Sequence, residues 1–89
     1  MNELHLAADG KGIRPFQIQK SEHFPILYVE ADGEATLTFH RSIDGVKFTP
    51  IQETVTFTDF VNEALYDVRP DEYVMVTSDV VLSNPQIMW

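Results

Sequence analysis

The sequence predicts an all-β fold: a small antiparallel β-sandwich of about seven or eight strands, one domain over residues 1–89. Three observations carry that expectation. Apolar residues alternate with polar ones at a period of two almost throughout. Turn residues recur every 8–12 positions or so, the spacing of a sandwich or barrel. The alternating runs are rich in Thr and aromatic residues, which suit a pleated, half-buried surface. At 44% hydrophobic and 22% charged, the chain lies outside the disordered class. A domain this short buries roughly 60–65% of its unfolded surface, enough for one core but not for a deep catalytic cleft beside it.

The candidate strands follow in order. "LHLA" brings Leu4 and Leu6, and "PFQIQK" brings Phe16 and Ile18. "PILYVEA" covers residues 25–31, and "EATLTFHR" sets Leu37 and Phe39 against Thr36, Thr38 and His40. "VKFTPI" comes next, then "TVTFTDF", where Val55 and Phe57 alternate with Thr54, Thr56 and Thr58. "EYVMVTS" and "PQIMW" complete the set. Asp9-Gly10-Lys11-Gly12 ends the first strand. Asp32-Gly33 and Asp44-Gly45 stand where hairpin turns belong, because Asp and Gly tolerate positive φ. Residues 24–52 therefore read as a three-stranded meander. The five prolines fall at strand ends or in loops, where a missing N–H costs little. "DFVNEALYDV" has apolar residues at helical spacing, but strands bracket it, so a loop or single turn is expected there.

"LYDVRPDEYVMV" sharpens the fold. Leu65, Val68 and Pro70 followed by Tyr73 and a strand resemble the tyrosine corner of immunoglobulin-like and fibronectin-type-III-like sandwiches. That resemblance implies a Tyr73 hydroxyl bonded back to backbone a few residues upstream, pairing a carbonyl left open where the chain changes sheets. The core tryptophan and cysteine pair of antibody domains are absent, so the resemblance is to the sandwich and not to that family.

Ser42, Asp44 and Gly45 in "SIDGVKFTP" are a structural turn on this reading. The string is similar to the Asp box of sialidases, itself a structural hairpin, but departs by one position and lacks the tryptophan. A calcium loop needs alternating oxygens and a closing Glu, and Asp44 stands nearly alone. His5, His23 and His40 share no ligand spacing, and His40 is expected on the solvent face of its strand. No paired carboxylates and no nucleophile setting stand out. The expectation is a protein that is not an enzyme, with no catalytic residue, no metal and no cofactor.

A formal charge of −8 with six scattered basic residues argues against nucleic acid as a partner. No stretch approaches the ~18 apolar residues of a membrane span, and the N-terminus has no signal-peptide pattern. No cysteine is present. "PILYVEA" and "EYVMVTS" are apolar on both faces, and such strands need cover on both sides. A protein partner, through self-association as a dimer or trimer or through a larger surface, would supply it. Tyr28, Val74, Val76, Met88 and Trp89 are the candidate interface residues.

Taken as strand patterns, "FQIQKSEHFPILYVEADGEATLTFHRSIDGVKFTPI" and "VRPDEYVMVTSDVVLSNPQIMW" resemble small β-sandwich accessory structural proteins of tailed bacteriophage virions, such as capsid decoration, head-fibre or tail-associated proteins. The resemblance implies a non-enzymatic assembly protein located in a virion, and otherwise cytoplasmic. The alternative is a carbohydrate-binding or adhesin-type module using Tyr28, Tyr66 and Trp89 as a ring platform.

Overall fold

The computed structural model describes residues 2–89. Six strands form: β1 (Asn2–Glu3), β2 (Gly12–Gln17), β3 (Ile26–Ser42), β4 (Thr49–Ala64), β5 (Tyr73–Ser78) and β6 (Leu82–Met88). They join antiparallel in one sheet of order β1-β6-β3-β5-β2, with β4 added along β3. No helix occurs among the described residues. The fold is all-β and antiparallel, as the period of two predicts.

Six strands stand where seven or eight were expected because expected neighbours fuse. β3 has 17 residues and β4 has 16. Asp32-Gly33, expected as a hairpin turn, lies inside β3. "DFVNEALYDV", expected as a loop, continues β4 as far as Ala64. The meander over residues 24–52 is therefore a single long hairpin whose only reversal is at residues 43–48.

That hairpin is bent. A straight strand of 17 residues spans about 55 Å, whereas the longest dimension of the molecule is 32 Å. The pairing of β3 with β4 shifts between Glu30 and Glu34 and again between Leu37 and Phe39. Gly33 at φ 101° and Asp59 at φ 70° occupy the first irregularity, and Gln52 at φ 40° lies in the second. Such bulges bend a strand and raise its local twist. Before the bend β3 pairs with β6, from Ile26↔Met88 to Ala31↔Leu82. After it the pairing passes to β5, from Leu37↔Ser78 to Ser42↔Tyr73. β1 extends β6 and β2 extends β5. These outer strands also meet, through a Leu6–Ile13 bridge and an Arg14 N–H bond to the His5 carbonyl at 2.8 Å.

The two halves of the bent sheet share one core. Leu27 and Val29 come from the first half, Leu37 and Phe39 from the second, with Val74, Val76, Leu82 and Ile87 from the strands beside them. Burying a side chain of this size contributes about 1.5–3 kcal/mol. Val74 and Val76, expected at an interface, are fully buried here. The strand's parity decides this: both pair across from β3 on the side that carries Phe39, and the outward residues of β5 are Tyr73 and Met75. Pro15 sits in the register shift of β2 between Ile13 and Phe16, where a missing N–H is tolerated.

Candidate functional site: the loop end of the sheet

Because β3 folds back, both of its ends lie at the same end of the molecule. Ile26 pairs with Ala64 and Met88, while Ser42 pairs with Tyr73, itself paired with Gln17. Three loops gather there, residues 18–25, 43–48 and 65–72. They are tied together. Leu65 N–H donates to the Pro25 carbonyl (2.8 Å), Ile18 N–H to Glu72 O (2.8 Å) and Asp71 N–H to Ile18 O (2.9 Å). Arg41 faces Asp67 at 3.8 Å and Glu72 at 3.7 Å.

The turn at residues 43–48 is built from its own side chains. Ser42, 3% exposed, donates its hydroxyl to Asp44 Oδ1 (2.8 Å) and accepts the Gly45 N–H (2.9 Å). Asp44 Oδ1 also accepts the N–H groups of Val46 (2.8 Å) and Lys47 (3.0 Å). Gly45 takes φ 80° and lies under the Tyr73 ring, which a β-carbon there would meet at 3.4 Å. The expected structural turn of Ser42, Asp44 and Gly45 is therefore present in its bonds.

Those bonds have a pH signature. The Lys47 and Val46 amides, and then the Ser42 hydroxyl, hold the Asp44 carboxyl down at about 2. A depressed carboxyl stabilises the fold above its unfolded value near 3.9 and loses that contribution as pH falls through the folded value. Acid titration is expected to erode stability between about pH 4 and pH 2, and Asp44→Ala to remove this part of the slope in urea melts at each pH. Ser42→Ala leaves the Gly45 amide short of its acceptor, and a cost of about 1–3 kcal/mol is expected in the same melts.

The same turn thrusts two apolar side chains outward. Ile43 is 83% exposed and Val46 77%. Turn tips are ordinarily polar, so the apolar neighbours of Asp44-Gly45 are the signal that sequence reasoning passed over. Phe24, Tyr66 and Met88 are exposed at this end as well. Among the described residues, the other exposed large apolar side chains are Phe60 and Val81, which lie elsewhere. Between the loops at 18–25 and 65–72 runs a groove of about 580 Å³, lined by Ile18, Phe24, Ile26, Ala64, Val68 and Pro70 among others.

The remaining expected site residues are placed as follows. Met88 is exposed at the end of β6, and Trp89 packs against the chain's own core. Tyr28 lies on the outer face of β3, donates its hydroxyl to Glu30, and sits 6.3 Å from the Phe60 ring at a 31° tilt. That hydrogen bond, then burial and the Glu30 charge, raise the phenol above its ordinary value. Tyr66 is exposed, and the aromatic ring pair among the described residues is Tyr28 with Phe60, without Tyr66 or Trp89. Among the described residues the Tyr73 hydroxyl makes no hydrogen bond of the kind expected at a tyrosine corner. The backbone just before it is tied instead by Ile18, Asp71 and Glu72, with Arg69 N–H on Glu72 Oε1 at 2.8 Å, and the Tyr73 ring lies over Gly45.

His40 is half-buried rather than open to solvent, with Nε2 3.0 Å from Thr77 Oγ1. Burial holds its ring below the ordinary histidine value of 6.5. The unfolded chain then takes up a proton that the folded chain resists. Stability is expected to decline as pH falls below about 6.5, and His40→Gln to flatten a urea-midpoint profile over that range. Among the described residues no group of His, Cys, Asp and Glu has metal-binding geometry, and no helix is long and apolar enough to cross a membrane.

Comparison with family models, with curated protein sequences and with solved structures finds no match to this chain.

Proposed function

We propose that the chain is a non-enzymatic assembly protein that docks onto other protein surfaces through its loop end. The observation that supports this reading most is the clustering of Phe24, Ile43, Val46, Tyr66 and Met88 at one end, which also carries a groove of mixed apolar and polar lining. Exposed apolar groups gathered in one patch mark interaction sites, whereas scattered ones are ordinary. The turn that carries Ile43 and Val46 is fixed by four hydrogen bonds, so little order has to be gained on docking.

The biological setting we propose is the virion of a tailed bacteriophage, as a decoration or tail-associated protein. Strand pattern supports this, together with a short all-β chain whose two half-sheets enclose one core in the manner of a small sandwich. Two checks apply. In dilute solution an apolar fluorescent dye should bind the wild-type chain, lose binding in Phe24→Asp and Ile43→Asp, and keep it in Val81→Asp at the opposite end. Equal binding by all variants would sink the docking end. Capsid, portal and terminase genes beside its gene are expected for the virion setting, and carbohydrate-utilisation genes would contradict it.

A further inference from the structure

β4 leaves one long edge of the sheet without a partner. It pairs only with β3, and among the described residues none of its backbone groups bonds outside that ladder. In an antiparallel strand alternate residues turn their N–H and C=O away from the neighbour, so the far edge of β4 carries a row of open donors and acceptors. Gln52 at φ 40° and Asp59 at φ 70° interrupt that row. Between them residues 53–58, Glu-Thr-Val-Thr-Phe-Thr, form an unbroken run about 20 Å long. The run holds no proline or lysine, the residues that ordinarily blunt an exposed edge.

Charge selects what can pair there. Over residues 26–39 and 49–64 the hairpin bears Glu30, Asp32, Glu34, Glu53, Asp59 and Glu63, with no lysine or arginine. Among the described residues none of these carboxylates is in an ion pair. Glu53 and Asp59 stand exposed at the two ends of the open run, and Glu34 lies beside it, paired with Thr58. A second copy fits this edge badly. Pairing antiparallel about Thr56 sets Glu53 of each copy against Asp59 of the other, and like charges directly opposite destabilise a ladder. We infer that the edge of β4 at residues 53–58 receives an extended basic segment of another protein, which adds a strand to the sheet. The main chain of that segment takes up the open donors and acceptors, and electrostatic complementarity chooses it over acidic competitors. Its side chains alternate between two settings. One set falls beside Val55 and Phe57 on the core side, the other beside Thr54, Thr56 and Thr58 on the outer face. The fitting sequence therefore alternates apolar residues with lysine or arginine, its cations drawn to Glu34, Glu53 and Asp59. This edge is apart from the three loops, so the inference does not rest on the docking reading above.

The test is a titration of the isotope-labelled full chain with a short end-blocked peptide of alternating lysine and valine, followed by amide NMR. Shifts are expected along residues 53–59 of β4 and not in the loops at 18–25 and 43–48. A peptide with glutamate in place of every lysine should not bind. Glu34→Gln, Glu53→Gln and Asp59→Asn together should weaken binding of the lysine peptide at least tenfold. All three positions are exposed, and an unchanged circular dichroism melt confirms folding. N-methylating every second residue of the peptide separates strand addition from simple charge attraction. In one phase the methyl groups face β4 and binding should be lost; in the other they face away and it should persist. An absence of shifts along β4 at millimolar peptide overturns the inference. So does equal binding by the wild type and the triple variant, or binding by both methylated peptides as tight as that of the parent.

Discussion

Phe39→Ala is expected to cost about 3–5 kcal/mol, a large share of the stability of the fold. A domain of this size has on the order of 5–10 kcal/mol to lose. Phe39 is fully buried near the middle of the second half-sheet, paired with Ile51 on one side and Val76 on the other. Its ring is the largest of the fully buried side chains, so truncation opens a cavity where the two half-sheets share their core. Urea melts followed by tryptophan fluorescence measure the loss, because Trp89 packs against the same core. A cost below about 1 kcal/mol would mean that the site collapses freely, and the shared core described above would then be wrong.

Gly12→Ala is the second large effect. Gly12 is buried at the start of β2, opposite Thr77. A β-carbon there would stand 2.4 Å from the Val76 carbonyl oxygen and 3.3 Å from the Thr77 α-carbon. The obstacle is backbone in a paired strand and cannot swing aside. The Gly12 carbonyl also accepts the Ala7 N–H at 2.9 Å, so a shift of β2 disturbs the seam between the first two strand segments. A loss at the upper end of the ~1–3 kcal/mol typical of overpacking is expected. Gly33→Ala is the informative comparison: nothing lies within 4 Å of its would-be β-carbon, so only the left-handed backbone is penalised, at about 1–2 kcal/mol. Equal melts for the two variants would contradict the close approach at Gly12.

Strand character was legible in the sequence, and chain reversals only in part: the one at Asp44-Gly45 was, the one expected at Asp32-Gly33 lies inside β3. The alternation of Leu37 and Phe39 with Thr36 and Thr38 reports which side of β3 faces the core, since period two follows directly from the pleat. Asp32-Gly33 misled for a physical reason. Positive φ is needed both at hairpin turns and at bulges, so the pair announces a special backbone without saying whether the chain turns back. Gly33 and, opposite it, Asp59 use that freedom to bend two long strands. In "DFVNEALYDV" the helical spacing was overridden by pairing with Ile26–Glu30, which sets Val61 and Glu63 inward and Phe60 and Asn62 outward.

The site was legible only in its frame. Ser42, Asp44 and Gly45 showed the turn, because Ser and Asp bonding to nearby amides is a local matter. That the turn stands at the same end as the groove depends on the bend of β3, which pairs distant segments and leaves no local trace. Val74 and Val76 show the same limit. Two-faced strands signal cover on both sides, but which face the chain covers for itself depends on its neighbours across β3.

A titration of the chain with the apolar dye, followed by amide and methyl NMR spectra, tests the central claim most directly, that the loop end is the proposed docking surface. Signals of Phe24, Ile43, Val46, Tyr66 and Val68 are expected to shift together as dye is added, while those of Val81, Thr36 and Thr54–Thr58 stay fixed. Shifts confined to β4, or spread evenly over the chain, would contradict it.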